Sequence, residues 1–217
     1  MAFPAHVEAL VQKGLVWQGQ RAPLHKSEKQ FVTTGWPELD EQLGGGWLQG
    51  SVNELQRQQP FSGELPLLLP LLAQPNATAL WLNPPAMPYA PGLVYQQVAL
   101  AQQLVVQESD DKLMLWVAEQ ALQSSAIQQV LLWHGGLSAA AVRRLQKAAE
   151  NAQKLCFVIT PEQLSDEARA YTMRLKLSQA CTTGEFQVAV LKRRFGWPLP
   201  AFKCAVDKCL PPRRRLV

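Results

Sequence analysis

The chain has 217 residues, of which 47% are hydrophobic and 18% are charged. This composition is ordinary for one globular domain with a buried core, and it is too apolar for a chain that is disordered throughout. The N-terminus has no basic segment followed by an apolar run, and no stretch approaches the roughly 18 uninterrupted apolar residues of a membrane helix. We therefore expect a cytoplasmic protein that is neither secreted nor membrane-spanning.

Positive charge is concentrated near the C-terminus. The formal net charge is +4, but the residues from Val190 onward carry +7 and the rest of the chain carries −3. Asp207 is opposed there by eight basic side chains: Lys192, Arg193, Arg194, Lys203, Lys208, Arg213, Arg214 and Arg215. Such a region on a mildly acidic body predicts that a polyanion or an acidic partner binds there. A tail that only keeps the protein soluble would have the same composition.

The cysteines do not predict a metal site. In a cytosol we expect Cys156, Cys181, Cys204 and Cys209 to be reduced thiols. The spacing of Cys204 and Cys209 is compatible with half of a metal site, but no second Cys or His pair lies near enough to complete four ligands. The three histidines are isolated from any nucleophile. We therefore predict no metal, no cofactor and no histidine-based catalysis.

In chain order, the first predicted element is a short amphipathic helix in residues 4–13. The polar residues that follow it lead us to interpret residues 1–30 as a helical arm, which either folds back on the core or docks on a neighbour. Residues 31–197 are predicted to form the core domain. Residues 198–217 are predicted to form a basic, proline-containing tail.

Within the core, short apolar runs alternate with helical patterns. The predicted strands cover residues 51–55, 78–83, 104–107, 130–134 and 155–160, and the predicted helices cover residues 64–73, 92–102, 110–124 and 138–153. Asp110 or Asp111 is expected to cap the third of these helices, and Ser138 the fourth. The helix at 64–73 is apolar almost all round, so we expect it to be buried, although Pro70 should kink or shorten it. This alternation is typical of a parallel sheet covered by helices on both faces.

The last third of the core has a different period. Apolar residues alternate with Arg174 and Lys176 in one run, and a second run alternates Phe186, Val188 and Val190. Period two predicts an antiparallel hairpin with one solvent-facing side, added to the sheet. Continued to residue 194, the same alternation places Lys192 and Arg194 on one side of the second strand.

The segment VNELQRQQPFSGELPLLLPLL has the layout of a phosphate-binding loop between a strand and a helix. A working loop needs glycines, a lysine for the β- and γ-phosphates, and a serine or threonine for magnesium. Here Gln58 replaces the first glycine, Gly63 is kept, and Glu64 and Leu65 stand where the lysine and the hydroxyl residue belong. We interpret Glu64 as a helix N-terminal residue favoured by the helix dipole rather than as a general base.

Two further strand ends lack the residues of an ATPase. The strand at 130–134 ends in Trp133-His134 instead of a magnesium-binding carboxylate, and the strand at 78–83 is followed by Pro84-Pro85 instead of a glutamate that activates water. Because three elements are missing together, we predict that the protein is not an enzyme. A divergent ATPase would have to bind nucleotide despite Glu64 and Leu65.

Several segments occur in the order found in the RecA recombinase core: TTGWPELDEQLGGGWLQGSVNEL, LWLNPP, DDKLMLWVAEQALQSSAIQQVLLWH and RLKLSQ…VLKRRFGWPLPAF. Over residues 31–202 the chain resembles this core, and it is most similar to the ImuA/SulA family of RecA-like proteins. The resemblance implies a three-layer RecA-like α/β fold, with a mainly parallel sheet flanked by helices and a C-terminal antiparallel hairpin.

For ImuA members, this resemblance implies a non-catalytic adapter in SOS-induced translesion DNA synthesis and mutagenesis. The implied partners are RecA, an inactive polymerase homologue of the ImuB type and, indirectly, an error-prone replicative-type polymerase. In RecA filaments the ATP of one protomer is also contacted by basic residues of the next protomer. Lys192 and Arg194 match those two positions, so the resemblance implies a RecA-binding surface at Lys192, Arg193 and Arg194.

Alternatives remain open at each of these features. SulA members, which block bacterial cell division, share the LLLPLL and LWL.P segments, so an inhibitor of the cell-division GTPase is the alternative function. The basic residues at 192–194 would also suit a solvated strand end. Arg213, Arg214 and Arg215 follow two prolines that favour an extended segment, which contacts DNA phosphates, contacts a partner or is a free tail.

Trp36, Trp47 and Trp197 lie beside glycines or prolines rather than inside apolar runs. Exposed tryptophans at such positions would suit a protein interface or base stacking. Packing over the neighbouring loops is the alternative.

Overall fold

The structure is a computed structural model that describes residues 31–58, 63–162, 170–179 and 186–206. The predicted arm at residues 1–30, Cys181, Cys209 and the arginines at 213–215 lie outside the described residues. The strands are β1 (Phe31–Val32), β2 (Trp47–Leu48), β3 (Ser51–Arg57), β4 (Ala79–Leu82), β5 (Gln103–Val106), β6 (Gln129–Trp133), β7 (Leu155–Pro161), β8 (Met173–Gln179), β9 (Phe186–Lys192) and β10 (Leu199–Lys203). The helices are α1 (Pro37–Leu43), α2 (Glu64–Leu72), α3 (Ala90–Tyr95), α4 (Asp111–Gln123) and α5 (Ala139–Ala152).

Eight strands form one sheet in the order β10-β9-β8-β3-β7-β6-β4-β5. All neighbours from β8 to β5 pair in parallel, whereas β9 pairs antiparallel with β8 and β10 pairs antiparallel with β9. β1 and β2 form a separate antiparallel pair. The predicted α/β class, with a mostly parallel sheet between helices, is confirmed.

Apolar side chains pack on both faces of the sheet, as strands buried on both sides require. On one face Leu55, Trp81 and Phe157 pack with residues of α1, α2 and α3. On the other face Val52 and Val158 pack with residues of α4 and α5. Within the described residues, no helix is both long and apolar enough to cross a bilayer.

Two helix starts follow the predicted capping residues. The Asp110 carboxylate accepts a hydrogen bond from the Leu113 N–H at 2.8 Å, and the Ser138 hydroxyl accepts one from the Ala141 N–H at 3.2 Å. Each side chain satisfies an N–H group that has no partner inside its own helix. Local sequence therefore determines where α4 and α5 begin.

The helix predicted at 92–102 is shorter in the structure. α3 ends at Tyr95, and only residues 100–102 form a separate 3-10 turn. Between them Gln97 has a left-handed backbone with φ 63°. The Val98 N–H bonds to the Leu93 carbonyl at 2.9 Å, which closes α3 and turns Val98 into the core.

The sheet also extends beyond the predicted core boundary at residue 197. β10 pairs with β9, and Cys204 and Val206 are buried beside it. The Cys204 N–H donates to the Phe186 carbonyl at 3.0 Å. The described part of the predicted tail therefore packs on the core.

Candidate functional site

The segment that resembles a phosphate-binding loop joins β3 to α2. β3 ends at Arg57, Gln58 is exposed, and residues 59–62 lie outside the described residues. Gly63 precedes α2 with a left-handed backbone of φ 108°. A Cβ atom at Gly63 would lie 2.0 Å from the ring of Phe186 in β9. Backbone conformation and packing therefore account for this glycine without a phosphate.

Glu64 is the first residue of α2, and its side chain is fully buried. One carboxylate oxygen lies 3.8 Å from Nε of Arg57 at the end of β3. A helix N-terminus attracts anions because its first N–H groups are unpaired within the helix and its dipole is positive there. The carboxylate of Glu64 supplies this anion, so the start of α2 already carries the charge that a nucleotide phosphate would bring.

Ligands of open parallel sheets bind at the carboxyl ends of the strands. At this end the rings of Trp81 on β4 and Trp133 on β6 are buried and stacked, with centroids 5.8 Å apart and planes at 18°. The Trp81 indole donates to the Gln103 side-chain oxygen at 2.9 Å, which fixes the ring. Packed aromatic rings thus occupy the carboxyl ends of β4 and β6, the two strands whose ends lack the carboxylates expected of an ATPase.

A cavity of about 190 Å³ remains beside these rings. Its lining residues are Glu64, Leu65, Trp81, Pro84, Pro85, Ala86, Met87, Pro88, Tyr89 and Trp133. Glu64 is the only charged residue among the described residues of this lining. Among the residues that the structure describes, no group of three or more His, Cys, Asp or Glu side chains could hold a metal ion. The cavity suits an apolar group better than a magnesium nucleotide.

His134 follows β6 and has a structural role. Its Nδ1 accepts a hydrogen bond from the Gly136 N–H at 2.9 Å, so Nε2 carries the proton. Nε2 lies 3.2 Å from a carboxylate oxygen of Asp111 at the start of α4. The histidine therefore connects the end of β6 to α4.

The basic residues predicted to bind a partner lie at the end of β9 and in the turn after it. β9 ends at Lys192, and a bridge between Arg193 and Gly196 closes the turn. The guanidinium of Arg193 donates to the Gln42 carbonyl at 2.7 Å and to the Trp197 carbonyl at 2.9 Å. Because Gln42 is in the last turn of α1, Arg193 holds α1 and the turn together.

Lys192 and Arg194 are both exposed. Arg194 lies 3.4 Å from a carboxylate oxygen of Glu150 on α5, an exposed ion pair that contributes about 0–1 kcal/mol. Lys192 faces Arg174 across β8 and β9, and desolvation together with the Arg174 charge lowers the pKa of Lys192. β9 ends at Lys192, so Arg194 lies in the turn. The period-two pattern, continued to residue 194, had predicted that Arg194 lies on the strand.

A buried ion pair that the sequence did not predict lies beneath this surface. Glu54 on β3 is fully buried, and its carboxylate accepts a 2.6 Å hydrogen bond from Nε of Arg174 on β8. Gln56 also donates to this carboxylate, at 3.1 Å. The prediction that Arg174 faces solvent is wrong, because the parallel register brings it against Glu54. The available signal was Glu54 itself, an acidic residue within the strand predicted at 51–55.

The three tryptophans near glycines or prolines differ in exposure. Trp36 is buried, and its indole donates to the Leu67 carbonyl at 3.0 Å. Trp47 is buried edge-on against Phe157, with ring centroids 4.9 Å apart. Trp197 is 61% exposed. Of these three, Trp197 alone has the exposure that an interface requires.

The cysteines described by the structure are buried. Burial raises the pKa of the Cys156 thiol to about 12, so this residue is a poor nucleophile at neutral pH. Cys204, half of the spacing that resembled a metal site, is also buried.

Comparison of the chain with protein-family models and with curated proteins finds no match. Two regions of the described structure bear on function. The first, which we call the closed end, consists of Glu64, Leu65, Trp81, Trp133 and residues 84–89. The second, which we call the basic turn, consists of residues 192–197.

Proposed function

We propose that the protein is a non-catalytic, RecA-like adapter in SOS-induced translesion DNA synthesis and mutagenesis. In this role it caps or links RecA filaments and connects them to a mutagenic polymerase complex. The observation that carries the proposal is the buried carboxylate of Glu64 at the start of α2, next to Arg57. A nucleotide phosphate at this helix N-terminus would be repelled by that carboxylate.

The basic turn supplies the proposed contact with RecA. Lys192 and Arg194 approach the ATP bound to the last RecA protomer and donate charge-assisted hydrogen bonds to its phosphates. Both side chains are suited to this contact. Desolvation and the positive charge of Arg174 lower the pKa of Lys192, and a phosphate would offset that charge. Arg194 lies beside Glu150 in an exposed pair that it would exchange for the phosphate.

The two regions lie at opposite ends of the sheet. The closed end is at the carboxyl ends of β4 and β6, whereas β9 runs antiparallel to β8 and brings Lys192 beside Arg174 near the amino end of β8. A head-to-tail assembly needs two different surfaces on each subunit. A protein with a basic turn and no nucleotide at its closed end would join such an assembly through one surface only, and therefore acts as a cap.

The polymerase partners follow from the same proposal. An inactive polymerase homologue of the ImuB type binds the adapter directly, and the error-prone replicative-type polymerase is recruited through it. Mutation of the basic turn tests whether these partners and RecA bind the same surface.

The test is co-sedimentation with RecA filaments assembled on single-stranded DNA with a non-hydrolysable ATP analogue. The variant Lys192→Ala/Arg194→Ala should lose co-sedimentation at least tenfold. The matched control is Lys112→Ala/Arg143→Ala, which removes the same charge from exposed positions on α4 and α5. Circular dichroism and urea unfolding establish that both variants are folded.

Unchanged binding of the Lys192→Ala/Arg194→Ala variant would contradict the proposed contact. Equal losses in both variants would indicate non-specific attraction to the nucleoprotein filament. Failure of the wild type to bind RecA, together with direct inhibition of polymerisation of the cell-division GTPase, would favour the SulA-like alternative.

A further inference from the structure

A larger groove lies between α2 and the segment that contains α3. Its volume is about 490 Å³, and its walls include Leu65, Leu69, Pro88, Tyr89, Leu93 and Tyr95. It adjoins the cavity of the closed end, with which it shares Leu65, Pro88 and Tyr89. Tyr89 is 75% exposed and Tyr95 is 64% exposed. The groove is thus an open apolar surface with two accessible aromatic rings.

The lining has the chemistry that recognises proline-rich peptides. Among the residues that the structure describes, no charged side chain lines the groove, whose walls consist mainly of leucine, proline and tyrosine. Aromatic-lined grooves bind extended polyproline II segments because such segments are preformed and lose little conformational entropy on binding. The tyrosine rings also offer faces on which an arginine can stack.

The chain itself contains a segment of this kind. Residues 207–217 have the sequence DKCLPPRRRLV, in which Leu210, Pro211 and Pro212 precede three arginines. The two consecutive prolines favour the polyproline II conformation. The composition of this tail therefore matches the groove in its apolar part and in its arginines.

The tail also leaves the described structure close to the groove. Val206 is buried, and nearby Cys204 is hydrogen-bonded to Phe186. The Phe186 ring packs on Gly63, the residue that precedes α2, and α2 provides Leu65 and Leu69 to the groove. A continuous series of contacts thus leads from the beginning of the tail to one wall of the groove.

The length of the tail is sufficient. The tail leaves the described structure after β10, which is next to β9, and Phe186 at the start of β9 packs on Gly63 before α2. Along the sheet the start of α2 is therefore about one strand spacing, about 4.8 Å, from β10. Residues 207–210, fully extended, span up to about 14 Å, and the whole tail to Val217 spans up to about 36 Å. β10 runs parallel to β8 and to β4, so it ends at the edge of the sheet where the carboxyl end of β4 lies. The tail therefore begins at the correct edge of the sheet.

We propose that this groove binds the chain's own C-terminal tail as an extended polyproline II segment, with Leu210, Pro211 and Pro212 against Leu65, Leu69 and Tyr89, and with the following arginines next to Tyr95. The N-terminal arm is a poorer occupant. It joins the described structure at Phe31, next to Val32, which shares a pocket with Leu71 at the end of α2 and not with Leu65 near its start, and its sequence has no pair of consecutive prolines.

The proposal can be tested in the full-length chain with a photo-crosslinking residue, p-benzoylphenylalanine, in place of Tyr95. The matched control carries the same residue in place of Trp116, which is 53% exposed on α4 at the other face of the sheet. After irradiation, monomeric protein is digested and crosslinked peptides are identified by mass spectrometry. We expect crosslinks within one chain from position 95 to residues 207–217, at a yield at least fivefold above that from position 116.

A second variant keeps the test independent of folding effects. Pro211→Glu/Pro212→Glu changes only the tail, and it should reduce the crosslink from position 95 to the tail at least fivefold. Several results would overturn the proposal: crosslinks from position 95 mainly to residues 1–30, crosslinks mainly to a second chain, equal yields from positions 95 and 116, or a yield that the proline variant does not change. RecA is absent from this experiment, so its result is independent of the proposed adapter function.

Discussion

The closed end and the basic turn use similar residue types in opposite ways. Trp133 at the closed end is 5% exposed and stacked on Trp81, whereas Trp197 in the basic turn is 61% exposed. The charge of Glu64 is buried next to Arg57, whereas Arg194 is exposed beside Glu150. In the first region aromatic packing stabilises the fold, and the buried carboxylate of Glu64 disfavours an anionic ligand. The other presents positive charge and an aromatic ring at the surface, so binding to an anionic partner is expected there.

The largest expected difference between the two regions concerns their tryptophans. Trp133→Ala removes a buried ring from a close-packed site and should lower the free energy of unfolding by about 3–5 kcal/mol. Trp197→Ala should change it by less than about 0.5 kcal/mol, because the ring is mostly exposed. Urea unfolding followed by far-UV circular dichroism measures both values. A similar decrease in the free energy of unfolding for the two variants would mean that the two regions do not differ in packing.

The support beneath the basic turn is expected to be electrostatic. Arg174→Met leaves the buried carboxylate of Glu54 without its main charge partner and should cost about 3–5 kcal/mol. Replacing both residues, as Arg174→Met/Glu54→Leu, should recover most of that loss. Lys176→Met, which removes a partly exposed partner of Glu162, serves as the control and should cost less than about 1 kcal/mol. A double variant no more stable than Arg174→Met would refute this account of the pair.

Within the basic turn, neighbouring arginines should have different effects. Arg193→Ala removes two hydrogen bonds to carbonyl groups and should cost about 1–3 kcal/mol. Arg194→Ala removes only the exposed pair with Glu150 and should cost less than about 1 kcal/mol. Thermal unfolding of the two variants in the same buffer tests this order. The reverse order would place the structural role on Arg194 instead.

The smallest expected effect is the pH dependence due to Lys192. Desolvation and Arg174 lower the pKa of Lys192 in the folded protein below its ordinary value of 10.5. Between the lowered pKa of the folded protein and the ordinary pKa of the unfolded chain, the unfolded chain binds more protons than the folded protein. In this pH interval Lys192 therefore makes the free energy of unfolding rise with pH. Lys192→Met should lack this rise, with a difference below about 0.5 kcal/mol because the side chain is exposed.

Urea midpoints measured from pH 7 to 10.5 for the wild type and Lys192→Met test this expectation, and Lys112→Met on α4 corrects for the general loss of a lysine. A wild type whose stability relative to Lys192→Met falls over this range would have the opposite sign and would contradict the prediction.

Much of the fold could be predicted because its signals are local. Apolar runs bounded by glycine or proline indicated the parallel strands, and Asp110 and Ser138 marked two helix starts. The burial of Arg174 could not be predicted in this way, since its partner Glu54 lies 120 residues earlier and meets it only through the register of β3 and β8. When a charged side chain has a buried partner of opposite charge, the alternation of apolar and charged residues assigns that side chain to the wrong face of the sheet.

The candidate site was predictable in part for the same reason. The missing loop residues at Gln58, Glu64 and Leu65 can be seen in the sequence, but the ion pair between Arg57 and Glu64 requires the end of β3 to meet the start of α2. The stacking of Trp81 on Trp133 depends on β4 and β6 being neighbours in the sheet. No local pattern encodes that adjacency. The exposure of Trp197 likewise depends on where β9 ends.

The most direct test of the central claim is label transfer from nucleotide bound to RecA. RecA filaments are loaded with a photoreactive ATP analogue, freed of unbound nucleotide, mixed with this protein and irradiated, and labelled peptides are identified by mass spectrometry. The account predicts label on the peptide that contains Lys192 and Arg194, dependent on RecA and lost in Lys192→Ala/Arg194→Ala. Label on the peptide that contains Glu64 and Leu65 when the protein is irradiated with the analogue alone would show a nucleotide site of its own, and would contradict the account.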